Sequence, residues 1–584
     1  MGLSSTDYII LGGFFVVMLA IGILYANRMH DLGDFFSGSH QVPWWLAGIS
    51  LYMTTFSAFT FVSYSAIAYK HGFVAVTIWW FSIPGCLLSA KYLAGRWRKA
   101  TTTSPLEYLE TRYGKFLRQG FSWYGVPLIV LDDALKLFVI GTMLTVSLGF
   151  ETSSSAMMWA IIISGTIIMG YTLLGGLWAV MVTDFIQFIV MAVAVLVLTP
   201  LATAKAGGMS TILDKLPESF FQPTSDTYSW AWLLSFSVVL ALVYATKWPY
   251  VQRYYSARTE KDAKRVGYLV AALTFLGPPL LFWPAVAARV FLPEFALEGA
   301  NLNEVYPTLC RLLLPAGLMG IVIAAMFSAT MSMLSSDYNA LSSVITNDII
   351  KRLFLKNASD KTLVRIARIS TLLVGTVSLL LALLLASSEG LNDLVKIMAK
   401  LFAVLLPPAA LPMLAGLLTR RTSEAGAIAG FLLGAMASVG AYFLSIQQGL
   451  AEVKVPFTDI LYSQLSGVQY LTWISIIPTA LGLLLGSVFF PDSPEKRIKV
   501  DHFLSGLSET MAAPKTNSSQ EVIFAIRLVG FTCLALGIIL SLAVLATAPM
   551  KEAWLSFVVG MGLTALGSAA VFIARRHDST RSEE

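Results

Sequence analysis

The stretch ISLYMTTFSAFTFV, Ile49 to Val62, decides how this chain is read. It is uncharged and lies inside a membrane-length apolar segment, yet its middle holds Thr54, Thr55, Ser57 and Thr60. Hydrocarbon offers a hydroxyl no partner beyond its own helix, so a lipid-facing helix gains nothing from these residues. They are expected either to line a polar path inside a bundle or to join helices by hydrogen bonds.

The surrounding sequence sets that segment in a membrane. Of 584 residues, 56% are hydrophobic and only 13% charged, more apolar surface than the core of a soluble protein this size can hide. Stretches of about 20 apolar residues, enough to cross about 30 Å of hydrocarbon, recur from end to end. The pattern predicts an all-α polytopic membrane protein with about 15 spans in a lipid bilayer. The expected spans are 8–26, 42–69, 74–96, 120–148, 156–180, 183–202, 229–250, 265–291, 309–345, 364–387, 391–418, 424–446, 470–490, 521–547 and 553–575. Tyr8 to Ala26 lacks a basic lead and a small-residue cleavage site, so it is read as a retained span. The opening MGLSST fits a loose myristoylation pattern that would be redundant beside so many spans.

The net charge of +6 encodes topology rather than nucleic-acid binding, because the basic residues sit in short loops. They cluster at Arg96 to Arg118, Arg253 to Arg265 and Lys351 to Arg368, which predicts cytoplasmic loops there. The loop from Leu292 to Thr308 has three glutamates and no Lys or Arg, so it belongs outside. The N-terminus is then outside and the C-terminus cytoplasmic, in the cell (inner) membrane. Two successive five-helix blocks take opposite orientations, an inverted repeat inferred from topology alone. The expected units are 1–41 (extra helix and loop), 42–205 and 206–418 (the two repeats), 419–490 (accessory helices), 491–520 (a cytoplasmic linker) and 521–584 (a peripheral helix pair and tail). Cys86, Cys310 and Cys533 are isolated, and the five histidines are scattered, so neither a disulfide framework nor a zinc site is expected.

Four segments place polar groups at membrane depth. Besides Met53 to Thr60 there is YTLLGGLWAVMVTDFIQ, Tyr171 to Gln187, whose Asp184 is read at the start of the sixth span. A carboxylate there serves a pathway or partner, or simply favours the helix N-terminus. In SATMSMLSSDYN, Ser328 to Asn339, the residues Ser328, Ser332, Ser335 and Ser336 fall along one helix face and offer the hard oxygen atoms an alkali cation accepts. Such hydroxyls also bind helices together. In YATKWPYVQR, Tyr244 to Arg253, Pro249 should break the helix just after Lys247. That lysine either snorkels or awaits an anionic group of a solute. Asp132, Asp133 and Lys136 in the fourth span, and Lys396 with Lys400 in the eleventh, are weaker candidates that either pair or snorkel for structural reasons.

Together these segments resemble the sodium:solute symporter family, which includes sodium-coupled sugar, proline, iodide, monocarboxylate and sialic acid carriers. The resemblance covers roughly residues 5 to 490. Its most specific pieces are Tyr171 to Gln187, VQRYYSARTEK from Val251, and NALSSVITND from Asn339. FFSGS from Phe35, then Pro43, Trp44, Trp45, Ser50 and Leu51, are also similar to the family. The resemblance implies a leucine-transporter-type five-plus-five inverted repeat with extra flanking helices. It implies a sodium site made by the carbonyls of Met53, Phe56 and Ala329 and the hydroxyl of Ser332. The family usually adds a second hydroxyl at the next position, where this chain has Met333. By resemblance a further sodium site maps to Asp184, Ser335 and Ser336, and the solute pocket to Thr55, Ser57, Phe59, Thr60 and Lys247, with Tyr250 at an inner gate.

The function expected is sodium-coupled uptake of a small organic solute, with no covalent chemistry and Na+ as the driving ion. Lys247 points to a solute bearing a carboxylate, and Phe59 with Lys247 weakens a sugar reading, because sugar carriers commonly have amides or acids at such points. The alternative is a neutral sugar or polyol, with Lys247 tied to Asp132, Asp133 or Asp337. A sensor is the reading from another class, and it lacks room for a cytoplasmic catalytic domain after the last span. An enzyme reading finds no metal site among the scattered histidines, and a channel would need no solute pocket beside ion sites.

Overall fold

The computed structural model describes residues 4–26, 31–100, 103–147, 154–297, 302–386, 394–447, 452–456, 458, 460–509, 519–547 and 549–582. Among these residues there are helices and no strand. The principal helices are α1 (Ser5–Ala26), α2 (Trp44–Met53), α3 (Ser65–His71), α4 (Val74–Ala100), α5 (Lys115–Ser147), α6 (Ser154–Lys205), α7 (Trp230–Thr246), α8 (Trp248–Ser256) and α9 (Glu260–Phe291). They continue as α10 (Leu318–Val344), α11 (Asp360–Ala386), α12 (Leu394–Leu418), α13 (Glu424–Ser445), α14 (Val468–Phe489), α15 (Pro494–Gly506), α16 (Ser519–Thr547) and α17 (Met550–Ser582).

Among the described residues, 12 helices are long and apolar enough to cross a membrane, and α7 with α8 forms one more span bent by 47°. Two expected spans have another character. The stretch 42–69 is broken between Met53 and Ala58, and α5 carries Asp132, Asp133 and Lys136 in its middle.

The core is organised around α10, every residue of which is buried. A helix apolar or small all round can only be a central one. Its entry is held by the first helix: Asp7 Oδ1 accepts the backbone N–H of Gly317 at 2.9 Å and of Gly320 at 2.8 Å. A carboxylate there satisfies donors that the first turn leaves free and favours the dipole. The final pair α16 and α17 closes the same flank, with Ser556 Oγ donating to Ala316 O at 2.7 Å and the Thr6 and Thr547 hydroxyls in contact.

Two boundaries stand apart from the sequence expectation. The fifth and sixth spans, Ser155–Leu173 and Gly175–Lys205 within α6, part at a kink at Gly176 (φ +56°), not near residue 182. That backbone lies in the left-handed region, open to glycine without a Cβ clash. The interval 491–520 is not bare linker: α15 occupies 494–506, its N-cap Ser493 accepting from Lys496 N and Phe503 stacking on Tyr108. The side chain of Lys396 lies outside the described residues, and its expected neighbour Lys400 is half-buried.

Candidate functional site

The break after α2 carries its own hydroxyls. Thr54 Oγ1 donates back to Ser50 O at 2.7 Å and Thr55 Oγ1 to Tyr52 O at 2.6 Å, so both hydroxyls are satisfied locally where the helix ends. The freed backbone is then fastened to α10: Ala58 N donates to Thr330 Oγ1 at 2.7 Å, and the hydroxyls of Thr54 and Ser336 lie 3.1 Å apart. The first polar segment, Met53 to Thr60, and the third, Ser328 to Asn339, thus meet.

The serines of α10 divide into two kinds. Buried hydroxyls on the helices of this protein commonly donate to the carbonyl one turn back, as do Thr145, Thr172 and Thr183. Ser328 and Ser332 do not: both Oγ atoms are buried and make no hydrogen bond among the described residues. Orphaned oxygen of this kind is costly unless something supplies a positive partner. Ser332 is the hydroxyl that the resemblance places in a sodium site, and its unpaired oxygen is a donor of the kind a hard alkali cation accepts. Ser335 Oγ instead donates to Ser332 O at 3.1 Å, and Met333 lines the solute cavity.

Asp184 is not at a helix start. It lies about two turns beyond the Gly176 kink, inside α6 and fully buried, so the helix-terminus alternative is set aside. Its Oδ2 accepts from Ser50 Oγ at 2.5 Å and lies 3.4 Å from Arg253 Nη2. Arg253 also donates to Ser50 Oγ at 3.0 Å and to Ser336 Oγ at 2.5 Å. Asp184 and Ser336 are therefore brought together through a guanidinium, while Ser335 faces another partner. Asp184 Oδ1 has no hydrogen bond among the described residues and stays available to a cation. The sequence reading missed the roles of Ser50 and Arg253, although both stand in the motifs it quoted.

A cavity beside the α2 break contains about 140 Å³ open to water-sized groups; the resemblance assigns it to the solute. A comparable void holds one benzene-sized ring. Thr55, Ser57, Phe59, Thr60, Lys247 and Tyr250 all line it, and Thr54 does not. Aromatic walls come from Tyr64, Trp79, Tyr244 and Phe402, none of which the sequence singled out. As expected from Pro249, α7 ends at Thr246, and the bend places extended Lys247 between α7 and α8.

Lys247 belongs to a buried ionic group at the cavity wall. Lys136 Nζ lies 2.7 Å from Asp132, 3.0 Å from Asp133 and 2.6 Å from Asp337. Lys247 Nζ has longer contacts, 3.4 Å to Asp132 and 3.7 Å to Asp337, and lies 5.6 Å from the Tyr250 ring centre. The weaker candidates of α5 thus form the ionic centre of the site. Each of the three aspartates also keeps one buried oxygen without a hydrogen bond among the described residues.

Comparison with known proteins gives the family and the fold. The model of the sodium:solute symporter family matches residues 35–434. The chain is 26% identical over 462 residues to the sodium/sialic acid symporter SiaT of Proteus mirabilis, covering 75% of this chain and 89% of that protein. It is 25% identical over 497 residues to the mouse sodium/glucose cotransporter 1, covering 78% and 74%. A solved sodium-coupled sialic acid symporter, substrate-bound and outward-open, superposes with a TM-score of 0.71 at 24% identity over 83% of this chain and 98% of its own. The architecture is accordingly the leucine-transporter type, with helices added at both ends.

Proposed function

The chain belongs to the sodium:solute symporter family and is a sodium-coupled secondary transporter of a small organic solute in a membrane, and we propose that this solute bears a carboxylate held by Lys247. One observation carries the proposal: the two lysines of the buried group are unequally satisfied. Lys136 has three contacts of 3.0 Å or less, whereas the contacts of Lys247 are 3.4 and 3.7 Å, and Lys247 faces the cavity. An ammonium has three donors, so Lys247 keeps hydrogen-bonding capacity for a carboxylate. Thr55, Ser57 and Thr60 then serve the solute's hydroxyls, and Phe59 and Tyr250 pack on its apolar faces.

The sodium that drives uptake is assigned to the carbonyls of Met53, Phe56 and Ala329 with Ser332 Oγ, and a second one to Asp184, Ser335 and Ser336. Coupling follows from shared backbone: one break supplies cation ligands at Met53 and Phe56 and solute ligands at Thr55 and Ser57. Each sodium ion entering gains about 2.3 kcal/mol per 100 mV of membrane potential. The bundle then rocks to expose both cargoes inward, with the basic loops on the cytoplasmic side and the N-terminus outside.

A second reading has its own observation. Lys247 stands within ion-pair distance of Asp132, as a carrier of neutral sugars or polyols with an occupied lysine would have it. Proteoliposomes with an inward sodium gradient and a panel of anionic and neutral solutes separate the two. On the carboxylate reading, Lys247→Ala lowers uptake of the anionic solute about a hundredfold; if every anion enters as fast as before, that reading falls.

A further inference from the structure

Beside the solute cavity lies a second chamber, walled mostly by apolar side chains of α5, α7 and α12. Asp132, Val243, Lys247 and Phe402 line both. The order of lining residues along two helices shows that the chambers are stacked end to end. On α5 the solute cavity takes Lys136 and the second chamber takes Leu128 and Tyr124, with Asp132 between them. On α12 the cavity takes Met398 and the chamber takes Leu405 and Met413, with Phe402 between them. Both helices change chamber at one level, and at that level Lys247 meets Asp132 at 3.4 Å with its ammonium 5.7 Å from the Phe402 ring centre. The far chamber runs toward the end of α5 that carries Lys115 and Arg118.

We propose that the Lys247–Asp132 pair is the closed floor of the solute cavity, that the apolar chamber below it is the exit route, and that a solute carboxylate opens the floor by drawing Lys247 away. The ionic group is arranged for such an exchange. Lys136 holds the same Asp132 oxygen at 2.7 Å, so that carboxylate keeps a cation when Lys247 leaves. Lys247 in turn exchanges one carboxylate for another and is never left without an anion. A neutral solute offers no such exchange, so selectivity and opening reside in one residue. The role of the carboxylate rests on the function proposed above; the floor itself does not.

The test reads access and needs no known solute. Met398→Cys puts a thiol in the cavity above the floor, and Leu405→Cys puts one in the chamber below it; the three native cysteines are buried. A membrane-impermeant methanethiosulfonate is applied to reconstituted full-length protein from the side of Lys115. With the pair intact, the Met398→Cys thiol should react slowly and the Leu405→Cys thiol, at a partly exposed position of the lower chamber, fast. Asp132→Asn, which leaves two carboxylates for two ammoniums, should speed the upper thiol at least tenfold and leave the lower one unchanged. Lys247→Met should do the same, and Lys247→Arg should not. Equal upper-thiol rates in the parent and in whichever neutralised variant folds would overturn the floor. A fast upper thiol in those variants, with anion uptake indifferent to Lys247→Ala, would keep the floor and remove the carboxylate as its opener.

Discussion

Ser336 and Asp337 are neighbours on α10, yet they belong to buried ionic groups of opposite balance. Through Ser336 and Arg253 the helix joins a group in which one carboxylate, Asp184, faces one guanidinium. Through Asp337 it joins a group in which three carboxylates face two ammoniums, a surplus of one negative charge when all are ionised. In the balanced group any deletion strands a charge in low dielectric, whereas in the other a carboxylate can be lost and the balance improves. The first is a lock; the second is suited to exchanging partners with cargo.

The comparison breaks most visibly at the lysine with three short contacts. Lys136→Met leaves three carboxylates facing Lys247 alone, and we expect no folded protein, read as loss of the monodisperse peak in size-exclusion chromatography. Arg253→Met strands Asp184 and should cost about 3–5 kcal/mol, seen as a large fall in Tm in detergent. Asp133→Asn is the sharpest contrast: it removes surplus charge, so Tm should stay within the range of about 1 kcal/mol or rise. A fall as large as that of Arg253→Met would abolish the distinction between the groups.

On the ion side, Met333→Ser restores the hydroxyl that the resemblance places beside Ser332. It should lower the sodium concentration for half-maximal uptake about tenfold, or about 1.4 kcal/mol. The smallest effect lies outside the membrane, at Glu110. Burial opposes its ionisation, but Arg352 and Arg118 outweigh this and hold its carboxyl below the ordinary range. Its contribution is therefore full above the unfolded carboxylate value of about 4.3 and is lost as pH falls through the lower folded value. The Tm gap between the parent and Glu110→Gln should shrink as acid is added below that point.

What could be read beforehand was local. The hydroxyls of Thr54 and Thr55 mark a segment turned away from lipid, Pro249 announces the break at Lys247, and the small polar face of Ser328 to Ser336 marks a helix that avoids lipid. Pairings across more than a hundred residues, such as Lys136 with Asp337 or Ser50 with Asp184, depend on how helices are stacked and leave no mark at either end. Two errors had signals that were passed over. Gly175 and Gly176 mark the kink better than the polar Asp184 does, and Ser493 followed by Pro494 and Glu495 is a helix start inside the supposed linker.

The grip of Asp7 on the turn before α10 reaches beyond stability. With Ser556 fixed to the same turn, the outermost helices and the innermost one share an anchorage at one end. Rocking must then pivot elsewhere, so a spectroscopic ruler strung from α1 to Gly317 will hold constant through the cycle. One strung from α1 to the α7–α8 bend will record the stroke.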